Sequence, residues 1–210
     1  MKIIAVCGNY RRNGVTERVM EAAVEGARSA GAEVETLTLR DIGFEFCRNC
    51  QSCWGGAGGA AIGNCPIRDD LSPWLERIAA ADGVILASPV NFSVLTALFK
   101  KFQERCLVLS ELKPLPAVLR RLTGVPAFPV PRRKGPARPV ICITASSAPA
   151  WIGRFLYSGA IRQFKAFAEI WTGRIARLIW APGFTTGASP RIERALDEAR
   201  RAGAHMAAGR

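Results

Sequence analysis

The chain has 210 residues and a mass of 22.7 kDa, with 29 Lys and Arg against 17 Asp and Glu, a net charge of +12. Its 49% apolar and 22% charged residues exclude a disordered, collagen-like or coiled-coil chain. The length suits a single domain, residues 1–210, with a substantial core.

Residues 2–7 (KIIAVC) are nearly all apolar, the pattern of a parallel strand buried on both faces. The apolar stretch at 1–8 lacks a long hydrophobic region and a cleavage site, so no secretory signal is expected. A polar loop at 8–14 (GNYRRNG) leads into a helix predicted over 15–30, with Val19, Ala22, Ala23 and Gly26 as its apolar stripe and Gly31 as its stop. Residues 32–39 alternate and predict a strand nearer an edge. A cysteine-rich loop follows over 41–68. Asp69 or Asp70 is expected to cap a helix running to about residue 81, and 83–88 is the second fully buried strand. The charge-poor run 83–99 holds Pro89 and Asn91 and ends against Lys100 and Lys101. It reads as a strand entering a helix, not as a membrane span, and the chain is expected to be soluble.

A helix is predicted over 95–112. Residues 113–139 carry seven of the thirteen Pro and the basic run Arg132-Arg133-Lys134. That composition predicts an inserted arm or lid with a helical turn or two near 118–122. Residues 140–145 are a third buried strand. Residues 152–171 are a helix with apolar positions 152, 156, 160, 164, 167 and 171. A last strand covers 174–180 and a closing helix 190–206.

Alternating strands and helices imply a parallel sheet covered on both faces, and right-handed crossovers make it a doubly wound α/β sandwich. Ligands of such a sheet bind beyond the carboxyl ends of the strands, here 8–16, 89–94 and 144–148. Residues 8–16 (GNYRRNGVT) join a buried strand to a helix N-terminus, where open amide groups suit a phosphate. The loop is neither a Walker A sequence nor a G-x-G-x-x-G fingerprint. An ordinary capped turn is the other reading.

Charge is uneven. Residues 1–105 hold 12 basic and 12 acidic side chains, and residues 106–210 hold 17 and 5. The basic half fits an anionic cofactor, acidic protein, membrane or nucleic acid, and equally a solubilising surface. Cysteines stand at 7, 47, 50, 53, 65, 106 and 142, an odd number too crowded for a disulfide framework. A reducing cytoplasm is expected, where such clusters bind metal or act chemically. Cys7 and Cys142 read as core thiols, and Cys106 lies on a helix.

Cys47, Cys50 and Cys53 copy the spacing of bacterial ferredoxin ligands, and Cys65 precedes a Pro as the last ligand does there. Eleven residues, mostly Gly and Ala, separate Cys53 from Cys65. The readings are a 4Fe-4S cluster, a four-Cys zinc site, or reduced thiols without metal. The lone His205, in the last helix, offers no imidazole to this loop.

Residues 8–16 resemble the Gly-Ser-Pro-Arg-x-x-Gly-Asn-Thr loop of NAD(P)H-dependent FMN reductases and iron–sulfur flavoproteins. Residues 88–105 (SPVNFSVLTALFKKFQER) are similar to that family's Ser-Pro-Val-Tyr-Phe/Trp…Lys-x-Phe-x-Asp-Arg block. The Cys47/Cys50/Cys53…Cys65…Asp69-Asp70 stretch resembles its Cys-rich loop, and 144–151 loosely resembles its third loop. The likeness is good over about residues 1–110. It implies a flavodoxin-like, five-stranded parallel sheet in the order 2-1-3-4-5.

It also implies FMN, with its phosphate on Asn9, Arg11, Asn13, Gly14, Val15 and Thr16. The ring would lie against Pro89, Val90, Asn91 and Phe92 and against Thr144, Ala145 and Ser146. NAD(P)H or ferredoxin would supply electrons, Cys47, Cys50, Cys53 and Cys65 would hold a 4Fe-4S cluster, and no residue need act as general acid. The flavin of this family lies at a subunit interface, so a homodimer or homotetramer is implied, with the basic half or the 113–139 arm covering the partner's flavin or docking an acidic electron carrier. Three positions depart from the pattern. Asn9 stands for Ser, Val15 for Asn with the loss of a donor to phosphate, and Asn91 for Tyr with the loss of an aromatic wall.

Two other functions stay open. One is a cluster-free NAD(P)H-dependent FMN or quinone reductase. The other is a basic membrane- or RNA-binding module with a degenerate flavin site, using Trp151, Phe155, Phe164, Phe167, Trp171 and Trp180 interleaved with Arg154, Arg162, Lys165, Arg174 and Arg177. An amphipathic helix and a core strand explain the same interleaving.

Overall fold

Strand β1 (Lys2–Cys7) is buried from Ile3 onward, and its alternating side chains feed two separate cores. Ile3, Ala5 and Cys7 pack with Val19, Ala23, Ile192 and Ala199, whereas Ile4 and Val6 pack with Ile78, Phe99, Phe164 and Trp171. A sheet with two apolar faces needs helices on both, which is why β1 shows no alternation of polarity. The structure, a computed structural model, describes residues 1–55, 60–183 and 189–209.

In chain order β1 is followed by α1 (Val15–Ser29), β2 (Glu33–Thr38), α2 (Ser72–Ala80), β3 (Gly83–Ala87), α3 (Ala97–Arg105), α4 (Ala117–Thr123) and β4 (Arg138–Ser146). Then come α5 (Ala150–Leu156), α6 (Ser158–Ile170), β5 (Gly173–Pro182) and α7 (Pro190–Ala207). The five strands pair in parallel in the order 2-1-3-4-5, the flavodoxin-like arrangement expected. Helices α1 and α7 cover one face and α2, α3 and α6 the other. Helices α1 and α7 approach closely because Gly26 and Gly203 lack side chains. A Cβ at Gly203 would fall 1.9 Å from the Ala23 carbonyl oxygen, and one at Gly26 2.0 Å from that of Arg200.

Arg138, at the start of β4, is buried and, among the described residues, in no ion pair, with the Asp82 carboxylate acting on it only from a distance. Its guanidinium donates to the carbonyls of Ala79 and Ala81 at the end of α2 and to that of Trp171 after α6, and lies 3.5 Å from the centre of the Trp171 ring. Two helix C-termini supply the negative potential that an acid would otherwise provide. Burial, with Arg133 nearby, lowers its pKa to about 10, so it remains charged at neutral pH.

Four expectations are corrected. The helix expected over 95–112 stops at Arg105, passes through a 3-10 turn (Cys106–Leu109), and gives way to a strand at Ser110–Pro114. The Pro-rich segment is more regular than expected, because Ser110–Pro114 and Ala127–Pro131 pair as an antiparallel hairpin flanking α4. In a two-stranded hairpin the outer edges are free, so prolines lose no ladder hydrogen bond there. The helix expected over 152–171 is two, broken at Tyr157, whose ring stacks on Trp180 at 6.4 Å between centroids. Leu156 is consequently exposed, while Phe164, Phe167 and Trp171 are core. Neither Asp69 nor Asp70 caps α2: the N-cap is Leu71, and Asp69 is used elsewhere. Among the described residues, no helix is long and apolar enough to cross a membrane.

Candidate functional site

The three loops at the strand ends meet in one open cleft of about 340 Å³, lined by Asn9, Tyr10, Arg11, Gly14, Val15, Thr16, Pro89, Val90, Asn91, Thr96, Ala145, Ser146, Ser147 and Gly183. That volume falls within the usual range for small-molecule pockets, about 300–1,000 Å³.

Gly14 is the N-cap of α1, and no side chain caps that helix end. The first-turn amides therefore stay available to an anion, reinforced by the helix dipole. The loop before them is fixed from behind. Asn9 is buried and spends its amide on an Asx turn, donating to the Arg11 carbonyl at 2.8 Å and accepting the Arg11 N–H at 3.3 Å. Glu17 accepts the Asn13 N–H at 2.7 Å and the Arg40 guanidinium at 2.5 Å. Arg40 also donates to the carbonyls of Asn9 (3.2 Å) and Arg11 (3.3 Å). Its pKa is raised, chiefly by the hydrogen bond to Glu17, which outweighs burial. Gly14 is needed at this point, since a Cβ there would sit 2.6 Å from Asn9 Nδ2.

The second loop is a small hairpin, Val90–Asn91 paired with Val94–Leu95. Phe92 and Ser93 both have positive φ, 50° and 68°, as a two-residue type I′ turn requires. A bulky residue in that region is strained, and Phe92 is also 98% exposed at the tip. Thr96 joins the first two loops: its hydroxyl donates to the Gly8 carbonyl at 2.7 Å and accepts the Phe99 N–H, capping α3.

Ten of the thirteen expected flavin-contact residues line this cleft; Asn13, Phe92 and Thr144 do not. Asn13 sits at the loop's turn with φ 57°. Thr144 is fully buried, and its hydroxyl has no hydrogen-bond partner among the described residues. A strand's side chains alternate, so Thr144 points into the core that contains Cys142 while its neighbour Ala145 lines the cleft. Tyr10 and Ser147 lie within the loops expected from sequence, whereas Thr96 and Gly183 fall outside them. The Thr before a helical pattern was a readable cap signal for Thr96.

Cys47, Cys50, Cys53 and Cys65 line a second, much smaller cavity of about 20 Å³, together with Pro66, Arg105 and Val108. Asn49 and Gln51 on either side of Cys50 both take positive φ, 49° and 60°. Hydrogen bonds from Ser52 lower the Cys50 thiol pKa, whereas burial, with the three other cysteines, raises that of Cys53. Four thiols sharing one cavity suit a cluster in kind and number. About one water would fill the space, so the loop must spread to admit one. Among the described residues, no three His, Cys, Asp or Glu groups are set to hold a metal ion. Residues 56–59 of the Gly- and Ala-rich stretch lie outside the described residues. Cys7, Cys106 and Cys142 are buried, and burial pushes their thiols up.

The two limbs of the cysteine loop are joined by Asp69 and Arg105. The Asp69 carboxylate accepts the Glu45 N–H at 2.9 Å and meets Arg105 Nη1 at 2.5 Å, and Arg105 donates to the Glu45 carbonyl at 3.1 Å.

A family model described as NADPH-dependent FMN reductase matches residues 1–141. An iron–sulfur flavoprotein of Methanocaldococcus jannaschii is 33% identical over 105 residues, 50% of this chain and 51% of that protein. One of Methanosarcina thermophila is 30% identical over 109 residues, 52% and 54% of the two chains. The chain thus spans about half the length of the curated relatives it matches. In fold it is similar to an NAD(P)H:quinone oxidoreductase from Methanothermobacter marburgensis, with a TM-score of 0.69, 18% identity and 98% of both chains covered. It is also similar to an FMN-dependent NADH-azoreductase from Bacillus anthracis in complex with FMN, with a TM-score of 0.65, 13% identity and 98% of both chains covered.

Proposed function

The chain belongs to the NADPH-dependent FMN reductase family, and from that premise we propose that it is an FMN-dependent NAD(P)H oxidoreductase that passes electrons on through a 4Fe-4S cluster. One observation carries the flavin reading: the uncapped N-terminus of α1 opens into the same cleft as Pro89–Asn91 and Ala145–Ser147. Bound there, FMN supplies hydride acceptance and single-electron release.

The chain's own residues bind and orient. The first-turn amides of α1 and the buried Thr16 hold the phosphate, and Arg11 at the cleft edge adds positive charge. Val15 contributes only its amide, and the Glu17–Arg40 pair keeps the loop in this shape. The Pro89–Asn91 backbone and Ala145, Ser146 and Ser147, which line the same cleft, would hold the ring system. Asn91 leaves its part of the cleft wall non-aromatic. Phe92, exposed at the hairpin tip, covers the cleft of a second copy in a homodimer or homotetramer.

Cys47, Cys50, Cys53 and Cys65 are the ligands proposed for the cluster, and a reducing cytoplasm would keep them available. The matching spacing in relatives named iron–sulfur flavoproteins supports this. Purification without oxygen, followed by a visible spectrum and iron and sulfide analysis, tests both parts. Flavin bands with about four iron per chain support the full reading. Flavin without iron leaves a cluster-free FMN or quinone reductase, and a colourless protein that rejects FMN sinks the enzyme.

A further inference from the structure

The arm between Ser110 and Arg132 is docked on the cysteine loop. Arg132 follows the returning strand and is 8% exposed. Its Nε donates to the Ser110 carbonyl at 3.0 Å and its Nη2 to the Cys53 carbonyl at 2.7 Å. Trp54 makes a second tie, donating its indole N–H to Ser110 Oγ at 3.0 Å.

Arg105, which lines the cavity beside Cys65, is paired with Asp69, whereas Arg132 lies behind the Cys53 backbone and not in the lining. Arg132 has no such partner: among the described residues it takes part in no ion pair. Unlike Arg138, which lies against two helix C-termini and the Trp171 ring, Arg132 has only the Ser110 and Cys53 carbonyls as acceptors. An anionic group nearby would offset the cost of its burial. What lies next to it is Cys53, one of four thiols around a single cavity. Its position at the base of a basic arm is therefore not explained by the arm's own folding alone.

We propose that Arg132 is a positioning residue for the cysteine centre and the counter-charge of the anionic group held there. Its planar fork fixes the Cys53 backbone against the arm, and its charge offsets thiolate charge. The inference rests on the cluster reading above. A cation beside the centre would favour whichever form of it carries one more electron and so one more negative charge. Loss of Arg132 therefore moves the midpoint potential to more negative values.

The test uses the full-length protein purified without oxygen, with iron counted and the midpoint potential read by dye-mediated redox titration. Arg132→Met removes charge and donors, Arg132→Lys keeps the charge but loses the fork, and the exposed Arg133→Gln is the control. The expected result is a negative shift for Arg132→Met, a near-normal potential for Arg132→Lys, and no change for Arg133→Gln. An iron-loaded Arg132→Met protein with the wild-type potential overturns the inference and leaves the cluster reading intact. If Arg132→Met holds no iron, the Lys variant decides: a wild-type potential supports the counter-charge, and a negative shift overturns it. A wild-type protein without iron overturns the cluster reading and this inference with it.

Discussion

Replacing Asp69 with Asn breaks the clamp at the base of the cysteine loop. The Arg105 and Asp69 side chains are 1% and 10% exposed, and Nη1 and Nη2 meet the two carboxylate oxygens at 2.5 and 3.2 Å. Removing one partner of a buried pair leaves an uncompensated charge and costs about 3–5 kcal/mol. For a chain of this size each kcal/mol moves Tm by about 2–4 °C, so Asp69→Asn should melt roughly 6–20 °C below wild type. The double variant Asp69→Leu/Arg105→Met should recover part of the loss, because the charges leave together. Acid provides a second check. Burial pushes the Asp69 carboxyl up, but hydrogen bonds from Arg105 and the Glu45 N–H outweigh it and hold the pKa below the usual value. Such a group contributes stability that is complete above its unfolded pKa and lost as pH falls through the folded one. The gap between wild type and Asp69→Asn should therefore close below about pH 4. Thermal melts across pH supply the data. A Tm within about 2 °C of wild type at pH 7 would refute the clamp.

Gly14→Val should drive its side chain into Asn9 Nδ2 and weaken FMN binding by at least roughly tenfold with little change in Tm, read by flavin fluorescence. Arg138→Met leaves the buried carbonyls of Ala79, Ala81 and Trp171 without their donor, a loss of about 1–3 kcal/mol in urea unfolding. Gly203→Val collides with the Ala23 carbonyl in the α1–α7 crossing and should destabilise by about 1–3 kcal/mol or more in the same assay.

The sheet was legible because its strands are short apolar runs separated by helical periodicity, and KIIAVC and GVILA formed as read. Periodicity failed where a tertiary contact decided the backbone. The break at Tyr157 follows from stacking on Trp180, a partner more than twenty residues away that no local pattern announces. The Pro-rich arm was misread because proline density signals irregularity without revealing that an isolated hairpin tolerates it. At the cleft the loop positions could be read from strand ends. Which of two neighbours such as Thr144 and Ala145 lines the cleft could not, because that depends on strand alternation. The Arg132 contact to Cys53 joins residues 79 apart and left no trace in the sequence.

The central claim is that the open N-terminus of α1 receives the phosphate of a flavin held in the three-loop cleft. Parallel equilibrium titrations of flavin-free protein with FMN and with riboflavin test it most directly. The account predicts one FMN per chain, riboflavin at least roughly tenfold weaker, and a difference that shrinks in Gly14→Val. Equal affinity for the two flavins, or no binding of either, would contradict it.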